Sequence, residues 1–467
     1  MAARGAFNSR LGFILAAAGS AVGLGNIWSF PFKVGEGGGA AFLFVYLIFC
    51  FLICYPVLVT EIAIGRKTQR NPVGAFKSLG FRRWSIIGYL GLASGVLILS
   101  FYNVVAAWSF GYVVELIQGN FGIGKNFGTF ITDWVTVGLY GCIFMGATAL
   151  IVSRGISGGI ERAAKILMPT LFLIILGLLI YALTLPGAMD GVKFYLVPDF
   201  SKITGDVIYS ALGQAFFSLS LGMGALITYG SYVSKDQNIV SAGAMITLAD
   251  VGIAFIAGFL MFPLVFSQNL GTDGGPGLIF ETLPGAFEAI GPVVGVVIGT
   301  LFFLLLSFAA LTSTVSLLEV PTSYVVDEHG VSRKKAVWSI ATVIFIIGIP
   351  SLLSAGTVEW LTNFIHLPGN FNAETGEPAF TSFMDFVGII ANDTFLPVGG
   401  FLIAVFAAWV WRKENLNEEL AQGDEAIRGS LLQKYIDFAI SYICPLMLGA
   451  IAVVTILDRF LGIKLIG

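Results

Sequence analysis

Three clusters of polar residues lie inside stretches of this sequence that are otherwise apolar. The segment "GSAVGLGNIWSFPF" at 19–32 contains glycines and Asn26, "GQAFFSLSLGMGALITYGSY" at 213–232 contains serines and glycines, and "SFAALTSTVSLLE" at 307–319 contains adjacent hydroxyls. Hard cations take oxygen ligands, and an unwound helix exposes carbonyl and N–H groups that can meet a cation and an anion. The clusters therefore predict a site for sodium together with a zwitterion.

The composition places the chain in a membrane. Of its 467 residues, 57% are hydrophobic, 11% are charged and 58 are glycine, which excludes a water-soluble domain of this length. A helix needs roughly 20 apolar residues to cross a bilayer, and the sequence predicts about eleven such spans with no soluble domain between them. They are predicted near 11–34, 40–65, 86–118, 129–153, 162–185, 205–232, 239–268, 293–327, 335–354, 381–411 and 435–460.

The positions of Lys and Arg predict the topology. If the N-terminus is cytoplasmic, the inside segments hold 19 of the 25 basic residues and the outside segments hold 6. Basic residues concentrate on the cytoplasmic side, so we expect a cell-membrane protein (plasma or inner membrane) with its N-terminus inside and its C-terminus outside. The first span is expected to be retained. The longest outside segment, 355–380, is rich in turn residues and is predicted to be an irregular loop.

The first and sixth predicted spans are both interrupted by glycines at mid-membrane. Unwound backbone survives at that depth only where it is buried in protein or lines a cavity. Two sets of five spans with matching breaks indicate inverted repeats around a midplane site. We therefore predict an all-α polytopic membrane protein with a 5+5 inverted repeat, in which 1–185 form the first repeat, 205–412 the second, and 413–467 a cytoplasmic linker and eleventh span.

Ionisable residues inside spans are costly and usually functional. Glu61, Asp250 and Asp385 are the acidic candidates, and Lys33 lies near the outer end of the first span. Asp250 is the deepest, and no basic residue lies at a matching depth, so a bound cation is the better partner. The hydroxyls at 312 and 313 could bond back to their own helix, but beside two broken helices an oxygen cage for sodium is favoured.

The sequence resembles the neurotransmitter:sodium symporter family, especially its bacterial amino-acid transporters. The resemblance covers nearly the whole chain, through "RLGFILAAAGSAVGLGNIWSFPF", "GEGGGAAFLFVYL", "EIAIGR", "RGISGGIERAAKILMP", "GQAFFSLSLGMGALITYGSYV", "FAALTSTVSLLE" and "SRKKAVW". It implies sodium-coupled transport by alternating access, a membrane-lipid environment, no enzymatic activity, no organic cofactor and no nucleic-acid partner. It does not predict the oligomeric state.

The resemblance implies two sodium sites. One would use the carbonyls of Gly19, Val22 and Ala309 with the hydroxyls of Thr312 and Ser313. The other would use the Ala21 carbonyl with the side chains of Asn26, Ser218 and Asp250, completed by the carboxylate of the substrate. Because that carboxylate is shared, sodium and substrate would each raise the affinity of the other by the same factor.

The resemblance also implies a substrate site. Its members would be Ser20, Ala21, Gly23, Leu24, Gly25, Ile98, Tyr102, Phe217, Ser218, Ser220, Met223, Ser313 and Leu317. Tyr102 would donate to the substrate carboxylate, and carbonyls at 21 and 217 would accept from its amine. Gly23 stands where monoamine transporters carry an aspartate, and the side-chain pocket is apolar. We therefore expect a neutral, hydrophobic amino acid, either aliphatic or aromatic.

The resemblance implies gates on both sides of this site. On the outside, Tyr102 and Phe217 would cover the substrate, and an arginine of the first span would pair with Asp385. The arginine position is Ser29 here, so either Lys33, one helical turn later, takes over or water bridges the gate. The inner gate matches Arg4, Asp327 and Tyr232.

The region that binds chloride in other members of the family is altered. Chloride-independent bacterial relatives often carry a carboxylate at a position that is Ala254 here, whereas the preceding sodium ligand is Asp250 instead of asparagine. One carboxylate beside Tyr46 and Gln214 would serve both roles. We therefore expect transport without chloride.

Three other functions are considered. "GISGG" at 155–159 matches the GxSxG pattern of hydrolases, but Ser157 and the two histidines, His329 and His366, fall on different predicted loops. A channel is disfavoured by gates on both sides. Proton coupling with Asp250 as the carrier is the remaining alternative within the transporter class.

Overall fold

A computed structural model describes residues 5–268, 278–371 and 378–465. Within these residues nine helices are long and apolar enough to cross a membrane, and a bent pair near the N-terminus forms a tenth crossing. The broken pair Gly205–Ser218 with Ala225–Gly230 is not among these ten and occupies the place of the sixth predicted span. The eleven spans, numbered in chain order, are Arg10–Ala21 with Gly25–Glu36, Ala40–Thr68, Arg82–Ile117, Trp134–Ser153, Ile156–Leu183, Gly205–Ser218 with Ala225–Gly230, Ile239–Ser267, Pro292–His329, Arg333–Leu353, Phe383–Val410 and Leu431–Phe460. The protein is thus a multi-pass membrane protein, and the predicted fold class is confirmed.

Short elements connect the spans. The helices between them are Pro72–Ser78, Phe127–Thr132, Ala188–Leu196, Leu283–Ile290, Glu359–Thr362 and Lys413–Ala421. The side that carries Pro72–Ser78 and Lys413–Ala421 is the predicted cytoplasmic side and is called the inner side below. That orientation, and the repeat boundaries at 185, 205 and 412, stay predictions.

The outer segment between spans 9 and 10 corrects one expectation. Strands Ile365–Phe371 and Pro378–Thr381 pair in antiparallel register, with Ile365 opposite Thr381 and His366 opposite Phe380. The prediction of an irregular loop over 355–380 is therefore wrong. Turn residues dominate this segment, and the short runs that flank them pair with each other to satisfy their backbone groups.

Spans 1 and 6 are the broken helices. The two parts of span 1 meet at 51° around residues 22–24. Span 6 is interrupted at 219–224, where Gly222 and Gly224 have φ of +79° and +76°. A Cβ at residue 222 would also overlap the backbone carbonyl of Leu396 in span 10. Glycine is therefore required here both for the left-handed conformation and for the close approach of span 10.

Spans 2 and 6 touch backbone to backbone on the inner side of the breaks. A Cβ on Gly65 would overlap the carbonyl oxygen of Ile227, and one on Gly230 would lie 2.5 Å from the carbonyl oxygen of Ile62. Small residues permit such contacts between helices in membranes. The inner half of span 6 is therefore packed directly on span 2.

Gly65→Ala is expected to destabilise the protein by about 1–3 kcal/mol, because the added methyl must push two backbones apart. Thermal unfolding of the purified protein should show a lower melting temperature. Gly146→Ala in span 4 is the matched control, since a Cβ there has no neighbour within 4 Å. Equal melting temperatures for the two variants would contradict the packing argument.

Candidate functional site

A buried cluster of Asn26, Ser218 and Asp250 joins spans 1, 6 and 7. The Asn26 amide donates to Ser218 Oγ at 3.0 Å and to the Asp250 carboxylate at 2.7 Å. The Ser218 hydroxyl lies 3.0 and 3.1 Å from the two carboxylate oxygens of Asp250. All three side chains are buried. The structure thus brings together three of the residues predicted for one sodium site, and the fourth, Ala21, ends the first helix of span 1.

A second group of oxygens lies where spans 1 and 8 meet. Thr312 Oγ1 lies 2.9 Å from the Ala309 carbonyl and 3.3 Å from the Val22 carbonyl. A Cβ on Gly19 would lie 3.3 Å from Thr312 Cβ, so span 1 passes directly beside this hydroxyl. Ser313 Oγ points instead to the Ser20 carbonyl, at 3.4 Å. One hydroxyl proton serves only one carbonyl, so the group retains lone pairs for a cation.

Polar side chains satisfy the backbone at the two breaks. The Leu24 N–H donates to the Tyr102 hydroxyl at 2.8 Å, and the Gly222 N–H donates to the Glu61 carboxylate at 2.8 Å. Ser220, whose φ is 55°, donates from its hydroxyl to the Ser20 carbonyl at 2.8 Å. Spans 1 and 6 are therefore tied to each other and to spans 2 and 3 at the unwound residues.

A small central cavity of about 20 Å³ lies between the two breaks, room for about one water molecule. All of its lining residues belong to the predicted substrate set: Ser20, Ala21, Gly23, Gly25, Ile98, Tyr102, Phe217, Ser218, Ser220, Met223, Ser313 and Leu317. Leu24, the remaining predicted residue, lines a larger outer cavity. None of the lining side chains of the central cavity is charged.

The outer cavity has about 700 Å³ and is separated from the central one by Tyr102 and Phe217, which line both. Lys33 and Asp385 also line it. Asp385, however, is exposed and accepts from the Ser382 hydroxyl at 2.7 Å. A second carboxylate, Asp393, two helical turns further along span 10, lines the same cavity as Lys33.

Sequence reasoning missed Asp393 and also Arg459, which lines the same cavity from the end of span 11. The outer cavity thus contains the carboxylate of Asp393 together with the positive charges of Lys33 and Arg459. A signal for Asp393 was available, because it follows Asp385 by eight residues in the same span. Arg459 carried no such signal, because nothing in its local sequence places span 11 beside span 10.

On the inner side, the Tyr232 hydroxyl donates to Glu319 at 2.7 Å. Glu319 is buried and also forms an ion pair with Arg333 of span 9. Asp327 accepts from the backbone N–H of Asn71 at 3.0 Å. The predicted Arg4 partner of Asp327 lies outside the described residues. Sequence reasoning named neither Glu319 nor Arg333, although each lies in a segment that carries the family resemblance.

Two residues of the predicted chloride region, Gln214 and Tyr46, contact different parts of the site. Gln214 donates to the Gly25 carbonyl at 2.8 Å and accepts from the Ser29 hydroxyl at 2.9 Å. The Tyr46 hydroxyl lies 3.5 Å from Ser218 Oγ, which is also hydrogen-bonded to Asp250. Ser29, which stands at the arginine position of the outer gate, is therefore bonded to Gln214.

The GxSxG pattern does not form a catalytic site within the described residues. Ser157 lies in the π-helical start of span 5. His329 ends span 8 against Tyr324, and His366 pairs with Phe380 in the outer hairpin. No histidine is therefore placed as a base for Ser157.

Two broken helices that enclose a small central cavity, next to buried polar groups and a wide outer cavity, define a multi-pass secondary transporter. A family model described as the Sodium:neurotransmitter symporter family matches residues 4–136 and 126–460. The chain belongs to this family. The family consists of transporters, and its members are named for their dependence on sodium.

Individual relatives agree with this assignment. An uncharacterized sodium-dependent transporter of Bacillus subtilis (strain 168), YhdH, is 38% identical over 90% of this chain and 90% of its own length. An uncharacterized sodium-dependent transporter of Haemophilus influenzae is 36% identical over 77% of this chain and 82% of its own length. The crystal structure of MhsT in complex with L-phenylalanine matches with a TM-score of 0.85 and 42% identity, over 96% of this chain and 99% of that one.

Gly23→Ala is expected to destabilise the protein by about 1–3 kcal/mol, because a Cβ there overlaps Ser313 Oγ and lies 2.7 Å from the Tyr102 hydroxyl. The double variant Gly23→Ala with Ser313→Ala should recover part of the loss, since it removes the nearer atom. Melting temperatures of the purified variants measure both effects. Gly177→Ala, whose Cβ has no neighbour within 4 Å, is the control. A double variant no more stable than Gly23→Ala would show that Ser313 is not the obstacle.

Proposed function

We propose that this protein couples sodium to the uptake of a neutral, hydrophobic L-amino acid by alternating access, without chloride. The observation that carries the proposal is the buried Asp250 carboxylate. Asn26 and Ser218 bond to it, and it has no Lys or Arg ion-pair partner among the described residues. A charge buried without an opposite charge is costly, and a transported cation supplies the missing partner.

Two oxygen groups suit two sodium ions. At the first, the carbonyl of Ala21 would complete the set formed by Asn26, Ser218 and Asp250. At the second, the carbonyls of Gly19, Val22 and Ala309 would join the hydroxyls of Thr312 and Ser313. Both groups consist of carbonyl, hydroxyl, amide or carboxylate oxygens, which hard cations take. The distances of 2.9 and 3.3 Å from Thr312 Oγ1 to two carbonyls support the second group.

The substrate carboxylate would bind at Tyr102. The Tyr102 hydroxyl accepts the Leu24 N–H at 2.8 Å, so this contact does not use the hydroxyl proton, which would be donated to the substrate. Asn26 of the first sodium group follows Leu24 by two residues, so an ion there would be within reach of the same carboxylate. A ligand shared in this way makes sodium and substrate raise the affinity of each other equally.

The lining of the central cavity supports a neutral, hydrophobic substrate. Its wall includes Ile98, Met223 and Leu317 and no charged side chain, so a charged substrate side chain would be buried unpaired. Met223 is adaptable in shape, which suits both aliphatic and aromatic side chains. MhsT, crystallised with L-phenylalanine, supports an aromatic substrate for this chain as well.

Alternating access would use the two boundaries of the cavity. On the outside only Tyr102 and Phe217 line both cavities, so this boundary is thin. On the inside, the hydrogen bond from Tyr232 to Glu319 ties the end of the inner half of span 6 to span 8. Opening would therefore move a few side chains on one side and a helix segment on the other.

Proton coupling at Asp250 is the second candidate. Two donors, the Asn26 amide and the Ser218 hydroxyl, lie at its carboxylate oxygens. Hydrogen bonds to the charged form stabilise that form, and this favours a sodium ligand over a proton carrier.

Binding of labelled amino acids to the purified protein tests sodium coupling. We expect L-phenylalanine, L-leucine or another neutral hydrophobic amino acid to bind in sodium and at least about tenfold more weakly in potassium or choline. Lysine and glutamate should not compete. Binding indifferent to sodium would contradict the coupling and favour Asp250 as a proton site.

Tyr102→Phe tests the carboxylate contact in the same assay. Loss of a hydrogen bond to a charged group should weaken binding about tenfold or more. Tyr89→Phe, at an exposed tyrosine outside both cavities, is the matched control. Equal affinity of the Tyr102→Phe variant and the wild type would remove Tyr102 from the proposed site.

Replacement of chloride by gluconate should leave binding unchanged in the wild type, because the Asp250 carboxylate supplies the negative charge. Asp250→Asn removes that charge and should make binding depend on chloride. Asp190→Asn, at an exposed surface ion pair, is the control. A strict chloride requirement in the wild type would overturn the proposal, and so would an Asp250→Asn variant that binds equally with and without chloride.

A further inference from the structure

A buried ion pair on the inner side joins span 2 to the linker between spans 10 and 11. The side chains of Arg66 and Glu419 have no exposed surface, and Arg66 Nε lies 2.7 Å from Glu419 Oε1. The same guanidinium donates to the backbone carbonyl of Glu419 and, through Nη1, to the carbonyls of Gln237 at 2.5 Å and Gln422 at 3.2 Å. One side chain of span 2 therefore binds both the linker and the loop after span 6.

Other contacts hold the same loop, residues 231–238. Gln69, three residues after Arg66, donates to the Val233 carbonyl at 3.0 Å. Asn238 donates to Asp424 of the linker at 2.7 Å. Gly423 has φ of +86°, and a Cβ there would lie 2.6 Å from Gln237. The loop is thus fixed to span 2 near its start and to the linker near its end.

The loop follows a short helix. The inner half of span 6, Ala225–Gly230, has 6 residues, and so short a helix does not hold its shape without tertiary contacts. Immediately after it, Tyr232 donates to Glu319 of span 8 at 2.7 Å, and its carbonyl accepts the Phe7 N–H at 3.2 Å. The loop therefore carries contacts that tie the end of the inner half of span 6 to span 8 and to the segment before span 1.

We propose that Arg66 and Glu419 are positioning residues for transport, which hold the inner half of span 6 closed by binding the loop 231–238. The inference rests on the proposed transport function. Neither residue lines the central or the outer cavity, so they act through the loop. Lysine cannot replace Arg66, because the guanidinium fork reaches a carboxylate and three carbonyls at once.

A cysteine at Ser231, which is buried, reports opening of the inner side through its rate of labelling by a maleimide. The parent protein carries Ser231→Cys with the exposed Cys142 changed to serine, and labelling without Ser231→Cys is subtracted. Arg66→Lys and Glu419→Gln should each raise the labelling rate about tenfold and lower the rate of sodium-driven amino-acid uptake. Sodium-dependent binding of the amino acid should change less than about twofold. The open state is rare in the parent, so a tenfold rise in its population still leaves most molecules closed on the inner side and able to bind.

Lys67→Gln is the matched control. It removes a positive charge from the next residue of the same helix. The Lys67 ammonium lies 3.8 Å from the Glu419 carboxylate, and the Lys67 side chain is 36% exposed. Exposed pairs of this kind contribute little, so labelling and uptake should equal those of the parent. If Arg66→Lys and Glu419→Gln also behave like the parent, the positioning role is wrong.

The two proposals fail in different ways. A parent protein that does not bind the amino acid in sodium overturns the proposed function. The comparison of labelling rates still tests the positioning role, because it does not depend on amino-acid binding.

A second experiment applies if the Arg66 and Glu419 variants do not fold. The double variant Gln237→Cys with Gln422→Cys places a disulfide between the two residues whose carbonyls accept from the same guanidinium nitrogen. Once mass spectrometry shows the disulfide, uptake should be slower and should recover on reduction. Equal uptake by the oxidised and reduced forms would overturn the positioning role.

Discussion

Backbone groups freed inside the membrane must find partners within the protein, and the rest of the site depends on this constraint. Two helices are broken at the same depth, and side chains from neighbouring spans satisfy them. Tyr102 accepts from Leu24, Glu61 accepts from Gly222, and Gln214 donates to Gly25. These side chains therefore stabilise the backbone at the breaks, and one of them, Tyr102, also lines the central cavity.

This constraint also explains how binding and movement are connected. The breaks leave each of spans 1 and 6 in two parts, and the inner part of span 6 has only 6 residues. Such a segment takes its position from what surrounds it, namely span 2, the Tyr232 contact with Glu319 and the linker held by Arg66. A ligand that binds at the breaks would act on parts that are held mainly by side-chain contacts, and side-chain contacts can be exchanged without unfolding a long helix.

The central site was predictable because its elements are local. Glycines at 23, 222 and 224, with Asn26 and Ser218 beside them, mark the breaks in the printed sequence, and every residue that lines the central cavity had been predicted. The surrounding contacts were less predictable. The outer hairpin was expected to be irregular, Asp393 was overlooked as the carboxylate near Lys33, and the Arg66 ion pair joins residues 353 positions apart.

The sequence alone determined that the chain is a multi-pass membrane protein, where its spans lie and which two are broken, because hydrophobic length and glycine clusters are properties of neighbouring residues. Only the tertiary structure decided which charges meet. Arg66 of span 2 pairs with Glu419 of the linker, Glu319 of span 8 pairs with Arg333 of span 9, and Lys33 and Asp393 line one cavity. These residues are far apart in the chain, and the packing that brings them together depends on the shape of every helix surface at once. The same packing placed Arg459 of span 11 in the outer cavity, for which no local pattern exists.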